Sequence, residues 1–149
     1  EWARRNLELN GFSGASHSFV RADCLEWLAQ AARARQDSGR SRAVSAKKGS
    51  PGNEAGLYDL IFLDAPTFSN SKSMAAALDI QRDHVRLIEA AGHLLEPGGE
   101  LVFSCNFRRF RLDTTVLAGF EIEDLTAATI PRDFARNPRI HQCFRLRRH

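Results

Sequence analysis

The chain has 149 residues, 43% of them hydrophobic and 26% charged, a balance that provides one globular domain with a core and excludes disordered, collagenous and membrane-spanning compositions. Its 21 Lys and Arg exceed its 18 Asp and Glu for a formal net charge of +3, and because only Lys47, Lys48 and Lys72 are lysines, arginine carries nearly all the positive charge. Arginine suits bidentate phosphate recognition, but the bias alone does not choose a partner, so the positions of the arginines must. No apolar run approaches the ~20 residues needed to cross a bilayer, and no signal-like segment stands near the start, so a cytoplasmic protein with no membrane partner is expected. Cys24, Cys105 and Cys143 are widely spaced with no C-x-x-C pair, which points away from a disulfide framework or a metal site and toward reduced thiols.

The chain begins with Glu1 inside a helical pattern, as a fragment of something longer would. That helix should stop at Asn10-Gly11, which supply a left-handed cap. His17 to Ala22 alternates and predicts a strand, followed by a helix from Asp23, whose carboxylate can serve as its N-cap. From Asp37 to Gly56 the composition turns to Ser, Gly, Lys, Arg and Asn, which reads as a flexible surface insert over 37–57. Tyr58 to Asp64 holds four consecutive apolar residues between polar ones, the pattern of a parallel strand buried on both faces. After a polar loop from Thr67 to Ser73, a long helix is predicted with Ile80, His84, Leu87, Ala91, Leu94 and Leu95 on one stripe, broken by Glu96-Pro97-Gly98-Gly99. Glu100 to Cys105 is a second buried strand. The basic segment Arg108-Arg109-Phe110-Arg111 leads into a short helix ending near Leu117. Strands at Phe120 to Leu125 and Gln142 to Leu146 close the chain. The fold class is therefore α/β, with a mostly parallel sheet and an antiparallel C-terminal hairpin.

In open α/β sheets ligands bind beyond the carboxyl ends of the strands. Asp23 and Asp64 both fall at such ends and would face one crevice if their strands are parallel. Either could instead be a helix cap. Lys72, Arg108, Arg109 and Arg111 follow strand ends on that side, as phosphate contacts should. Phe68 and Phe110 are candidate stacking partners for an unstacked base, with packing in the core as the alternative. Residues 132–149 carry six Arg and a single Asp; Arg145, Arg147 and Arg148 read as solvated surface. His84, on the apolar stripe, reads as a packed, hydrogen-bonded residue rather than a proton shuttle.

Asn6 to Gly11, Ala22-Asp23-Cys24, Tyr58 to Pro66 and Leu95 to Gly99 resemble, in order, motifs of the class I S-adenosylmethionine-dependent methyltransferases, which have a Rossmann-like sheet. Asp64 to Lys72, Gln81-Arg82-Asp83-His84, and Arg132 to Asn137 with Ile140-His141 resemble more closely the C-terminal methyltransferase half of the bacterial bifunctional ribosomal RNA large-subunit methyltransferase K/L family. The resemblance covers nearly all of the chain outside the insert, and makes residues 1–149 the C-terminal portion of one methyltransferase domain. It implies methylation of guanosine N7 in 23S ribosomal RNA, with S-adenosylmethionine as cofactor and with large-subunit ribosomal RNA and upstream domains of the same parent protein as partners. It also implies that Asp23 contacts the adenine of the cofactor beside Cys24, and that Asp64 and Pro66 line the pocket where methyl group and base meet. The family pattern has Asp-Pro-Pro where this chain has Asp64-Ala65-Pro66, which leaves that loop less constrained.

Guanine N7 is an exposed lone pair that carries no proton, so the reaction needs no general base. Its barrier depends on placement, worth about 7–11 kcal/mol in well-oriented systems, and Asp64 becomes a positioning and electrostatic group. Two alternatives stand beside this reading. Cys105 could be the nucleophile of an RNA cytosine-C5 methyltransferase, which needs a thiolate. The chain could also be a non-catalytic RNA-binding module, because none of its ten glycines forms the Gly-rich loop that holds the methionine end of the cofactor. In the usual strand order 3-2-1-4-5-7-6 that loop lies upstream, so the isolated chain is expected to be inactive, to bind cofactor poorly and to expose an unpaired strand edge.

Overall fold

The computed structural model describes residues 2–12, 17–40, 57–69 and 78–149. Leu101, Phe103 and Cys105 are fully buried while Val102 and Ser104 between them are half-buried, the period of two that marks a strand with one face on a core. That strand, β4 (Leu95–Cys105), lies between β1 (Tyr58–Ala65), which runs parallel to it, and β6 (Gln142–Arg148), which runs antiparallel. β5 (Phe120–Asp124) pairs with the far side of β6, giving the order β1-β4-β6-β5. The α/β class and the antiparallel C-terminal pair are as the sequence predicts, but among the described strands the sheet is mixed rather than mostly parallel, since of its three pairings only β1 with β4 is parallel.

One face of this sheet is covered. α3 (Ile80–Gly92) lies against β4, and α2 (Cys24–Arg40) packs on α3. Ile80, Leu87, Ile88 and Ala91 of α3 meet Leu101, Phe103, Phe144 and Leu146 of the sheet, and Leu28 and Ala31 of α2 join the same core. Each fully buried large side chain contributes about 1.5–3 kcal/mol of transfer free energy. Asp79 caps α3 by accepting the N–H groups of Gln81 and Arg82, and Asp83 returns the bond by accepting the Asp79 N–H at 2.9 Å.

The opposite face carries Leu60, Phe62 and Asp64 of β1 in register with Glu100, Val102 and Ser104 of β4. The first two are 60% and 65% exposed, so β1 is not buried on both faces as its apolar run suggests. A run of four apolar residues does not reveal that the strand lies at a sheet edge with one face uncovered. Farther across, this face is polar and internally paired. Arg147 donates through Nε and Nη2 to Glu100, and Arg145 does the same to Glu123, each pair directly opposed across two strands.

Several boundaries depart from the sequence pattern. α1 (Trp2–Leu9) ends as expected, with Gly11 at φ +79° and with the Gly11 and Phe12 N–H groups returning to Glu8 and Leu7. Residues 17–23 form no strand; a strand requires a partner, and no described strand lies beside them. α2 continues to Arg40, into the first residues of the expected insert, and 41–56 lie outside the described residues. α3 stops at Gly92, so Leu94 and Leu95 are buried in the turn and the start of β4 rather than on the helix. The segment Glu96 to Gly99 is a bulge within β4, with Gly98 at φ +84°. A Cβ on Gly99 would sit 2.9–3.1 Å from the carbonyl oxygens of Tyr58, Glu96 and Asp59, so the parallel pairing needs glycine there. No helix forms before Leu117: the Asp113 carboxylate accepts the Thr115 and Val116 N–H groups and the Thr115 hydroxyl, turning the chain locally instead. A two-residue pair, β2 (Phe68–Ser69) with β3 (Leu78–Asp79), was not legible in the sequence.

Candidate active site

The register places the carboxyl ends of β1, β4 and β5 and the start of β6 at one end of the sheet, since Ala65 opposes Cys105 and Cys105 opposes Gln142. The segments 66–69, 106–119 and 125–141 leave the sheet at that end. Asp64, the last exposed residue of β1, accepts a hydrogen bond of 2.5 Å from the Ser104 hydroxyl, its register partner on β4. Ser104 is a site residue the sequence did not announce, and pairing two strand ends is what brings it beside Asp64. Ala65 is buried, and Pro66 is exposed at the mouth.

Phe68 is 62% exposed, with its ring centroid 6.3 Å from that of Phe107, so it stands at the surface as a stacking residue must. Phe110 does not. It is 3% exposed and packs edge-on against His84 at 4.9 Å and beside Phe103 and Phe144, so it belongs to the core and not to a base-binding surface. In Arg108-Arg109-Phe110-Arg111 the aromatic ring anchors the loop while Arg108, Arg109 and Arg111 are exposed. Among the described residues, no ion pair engages these three guanidinium groups, unlike those of Arg145 and Arg147 on the open sheet face. Lys72 lies outside the described residues.

His84 is 3% exposed, and its Nδ1 lies 3.2 Å from the Ile80 carbonyl and 2.9 Å from that of Gln81. Carbonyls only accept, so Nδ1 carries the hydrogen and Nε2 accepts the Asp113 N–H at 3.1 Å. The ring is thus a packed structural group, as its place on the stripe predicts.

Asp23 accepts the Glu26 N–H at 3.0 Å, which makes it the N-cap of α2. The strand that would aim it into a crevice with Asp64 is not formed, and the two carboxylates are not brought together by strand ends. Cys24 beside it is exposed, its thiol pushed up by partial burial and by the Asp23 charge. Cys105 is fully buried, and loss of hydration pushes its thiol up. A nucleophilic cysteine needs an accessible thiolate, so the geometry removes Cys105 from that role. Beside the same end of the sheet a cleft of about 570 Å³ is lined by Asp124, Thr126, Ala127, Ile130, Ala135 and Pro138. Among the described residues no cluster of three or more His, Cys, Asp or Glu side chains could hold a metal ion, and no helix is long and apolar enough to cross a membrane.

No protein-family model matches the chain. Over 144 residues it is 52% identical to the ribosomal RNA large subunit methyltransferase K/L of Allochromatium vinosum, over 148 residues 51% identical to that of Syntrophotalea carbinolica, and over 146 residues 46% identical to that of Pseudomonas aeruginosa. These matches cover 97–99% of the chain but only 17–18% of the relatives, so the chain spans about a sixth of their length. Among solved structures, the fold is similar to a protein described as a methyltransferase in complex with SAH, with a TM-score of 0.66 at 20% identity over 95% of this chain and 34% of that one. It is also similar to a SAM-dependent methyltransferase from Agrobacterium tumefaciens, with a TM-score of 0.64 at 15% identity over 99% of this chain and 44% of that one. The fold is therefore similar to that of these two structures, and by sequence the chain is similar to a segment of the ribosomal RNA large subunit methyltransferase K/L proteins.

Proposed function

We propose that the chain is the part of an S-adenosylmethionine-dependent ribosomal RNA methyltransferase that receives the target base, and that the target atom is N7 of a guanosine in the large-subunit RNA. The observation that carries this reading is Asp64, exposed at the carboxyl end of β1 and fixed there by Ser104, at the end of the sheet from which leave both the segment of exposed Phe68 and the loop of Arg108, Arg109 and Arg111, which form no ion pair among the described residues. When bound, the cofactor supplies a methyl group on a sulfonium. The donor and acceptor set suits part of it. Asp64 and Pro66 border the place of the reacting atoms, and Asp23 with Cys24, at the start of α2 and not aligned with Asp64 by a strand, is proposed for the adenine. Among the described residues no Gly-rich loop follows a strand end to take the carboxylate and amine of the methionine end, so the reading includes upstream parts of the same parent protein.

In this site Asp64 is a positioning group. It accepts a hydrogen bond from Ser104 with one oxygen and keeps negative charge near a purine that becomes positive on alkylation at N7, with no proton to remove. Phe68 offers its face to the extruded base, and Arg108, Arg109 and Arg111 meet phosphates. A cytoplasmic location follows from the substrate.

The test is methyl transfer to unmodified 23S ribosomal RNA by a protein of the relatives' full length that carries this segment, with the product located by mass spectrometry. Methyl at guanosine N7, reduced on the order of 100-fold by Asp64→Ala and unchanged by Cys105→Ser, is the expected result. Methyl at cytosine C5 would overturn the assignment of the atom. RNA binding without methyl transfer would leave an RNA-binding module.

A further inference from the structure

The loop that carries the arginines has no helix or strand of its own, yet its backbone is held from two sides. The Gln81 side chain accepts the Arg111 N–H at 2.9 Å and donates to the Arg111 carbonyl at 3.0 Å, so one amide group matches both polar atoms of one residue. His84 accepts the Asp113 N–H through Nε2, with the opposite ring nitrogen bonded back into α3. From β6, Gln142 donates to the Phe110 carbonyl at 2.9 Å. Between these bonds Phe110 is sunk in the core, and the Phe110 N–H closes a turn onto the Phe107 carbonyl at 2.9 Å. Four backbone polar groups of a segment without regular structure are therefore satisfied by three side chains that the neighbouring elements supply.

We infer that Gln81, His84 and Gln142 are positioning residues that hold residues 107–113 in one conformation, so that Arg108, Arg109 and Arg111 meet an RNA backbone already arranged. The inference rests on the reading of those arginines as phosphate contacts. Its consequence is a particular division of labour. An arginine that touches phosphate releases counterions on binding, and its loss lowers both the affinity and the salt dependence. A brace touches no phosphate. Its loss lets the loop sample other conformations before binding, which lowers affinity but leaves the number of phosphate contacts, and hence the salt slope, as it was.

The experiment uses a labelled single-stranded oligoribonucleotide of mixed sequence, with affinity measured against salt concentration for the chain and for Gln81→Ala, Gln142→Ala and Arg109→Ala. Gln81 and Gln142 are only half-buried, so both variants should fold, and an unchanged urea midpoint checks this. The expected result is about tenfold weaker binding for each glutamine variant at unchanged salt slope, with faster amide exchange confined to the loop. For Arg109→Ala the slope should fall by about 0.7. If Arg109→Ala behaves so while both glutamine variants bind like the parent, or lose slope as well, the positioning role is overturned. If Arg109→Ala changes neither affinity nor slope, the reading of the arginines as phosphate contacts fails instead.

Discussion

Cys24, Cys105 and Cys143 have the same side chain in three settings, and burial pushes all three thiols up, yet only Cys24 is exposed. Accessibility therefore decides which of them reacts. In the folded chain iodoacetamide should add once, at Cys24, and should reach Cys105 and Cys143 only after unfolding in urea; peptide mass spectrometry reads the sites directly. A second adduct on the native chain would contradict the buried placement of Cys105 that removes it from nucleophilic catalysis. The same scale shows where a sequence misleads. Phe68 and Phe110 are both aromatic residues in polar company, and nothing in their neighbours separates the exposed ring from the buried one. The difference arises from tertiary contacts with His84, Phe103 and Phe144 that no local pattern encodes. Asp64 was legible because its position at a strand end depends on local pattern alone, whereas Ser104 became its partner through register across 40 positions.

Among the elements, the buttressing of caps and strands is carboxylate chemistry. The Arg82 guanidinium holds the Asp83 carboxyl below the usual range beside the α3 cap, Arg147 does the same for Glu100 between β4 and β6, and the Thr115 hydroxyl lowers Asp113 at the turn. Their folded-state values lie below those of the unfolded chain, so their stabilisation is fully present above about pH 5 and is lost as pH falls through the lowered values. The urea midpoint should hold steady from neutral pH to about 5 and then decline, with a shallower decline for Glu100→Gln. A midpoint that is flat into strong acid would show that these bonds carry no net stability. The strands at 58–64, 100–105, 120–125 and 142–146 were readable because apolar runs bounded by turn residues are local. The end of α3 was not, because Leu94 and Leu95 continue its apolar stripe while already serving the turn into β4. The segment 17–22 has strand composition without a described partner, and composition cannot supply one.

Across the whole molecule the sheet ends at β1, whose outer side has no described partner and whose Leu60 and Phe62 are exposed. Such an edge is a template for another strand. The chain should self-associate at tens of micromolar in sedimentation velocity, and Phe62→Lys should shift it toward monomer. A parent chain that stays monomeric there would mean the edge is protected in solution. The other side of the sheet has a different character. β6 follows the other described strands in sequence but lies between β4 and β5, and the bond from Arg147 to Glu100 reaches back 47 positions. Among the described strands β5 pairs only with β6, so it has no described place in the sheet until residues 142–148 are available. On a ribosome adding ~5–20 residues each second, β4 therefore waits a few seconds with its second edge bare. Until residues 142–148 emerge the nascent sheet is open on that side as well, and β6 acts as the seam that joins β5 to β4.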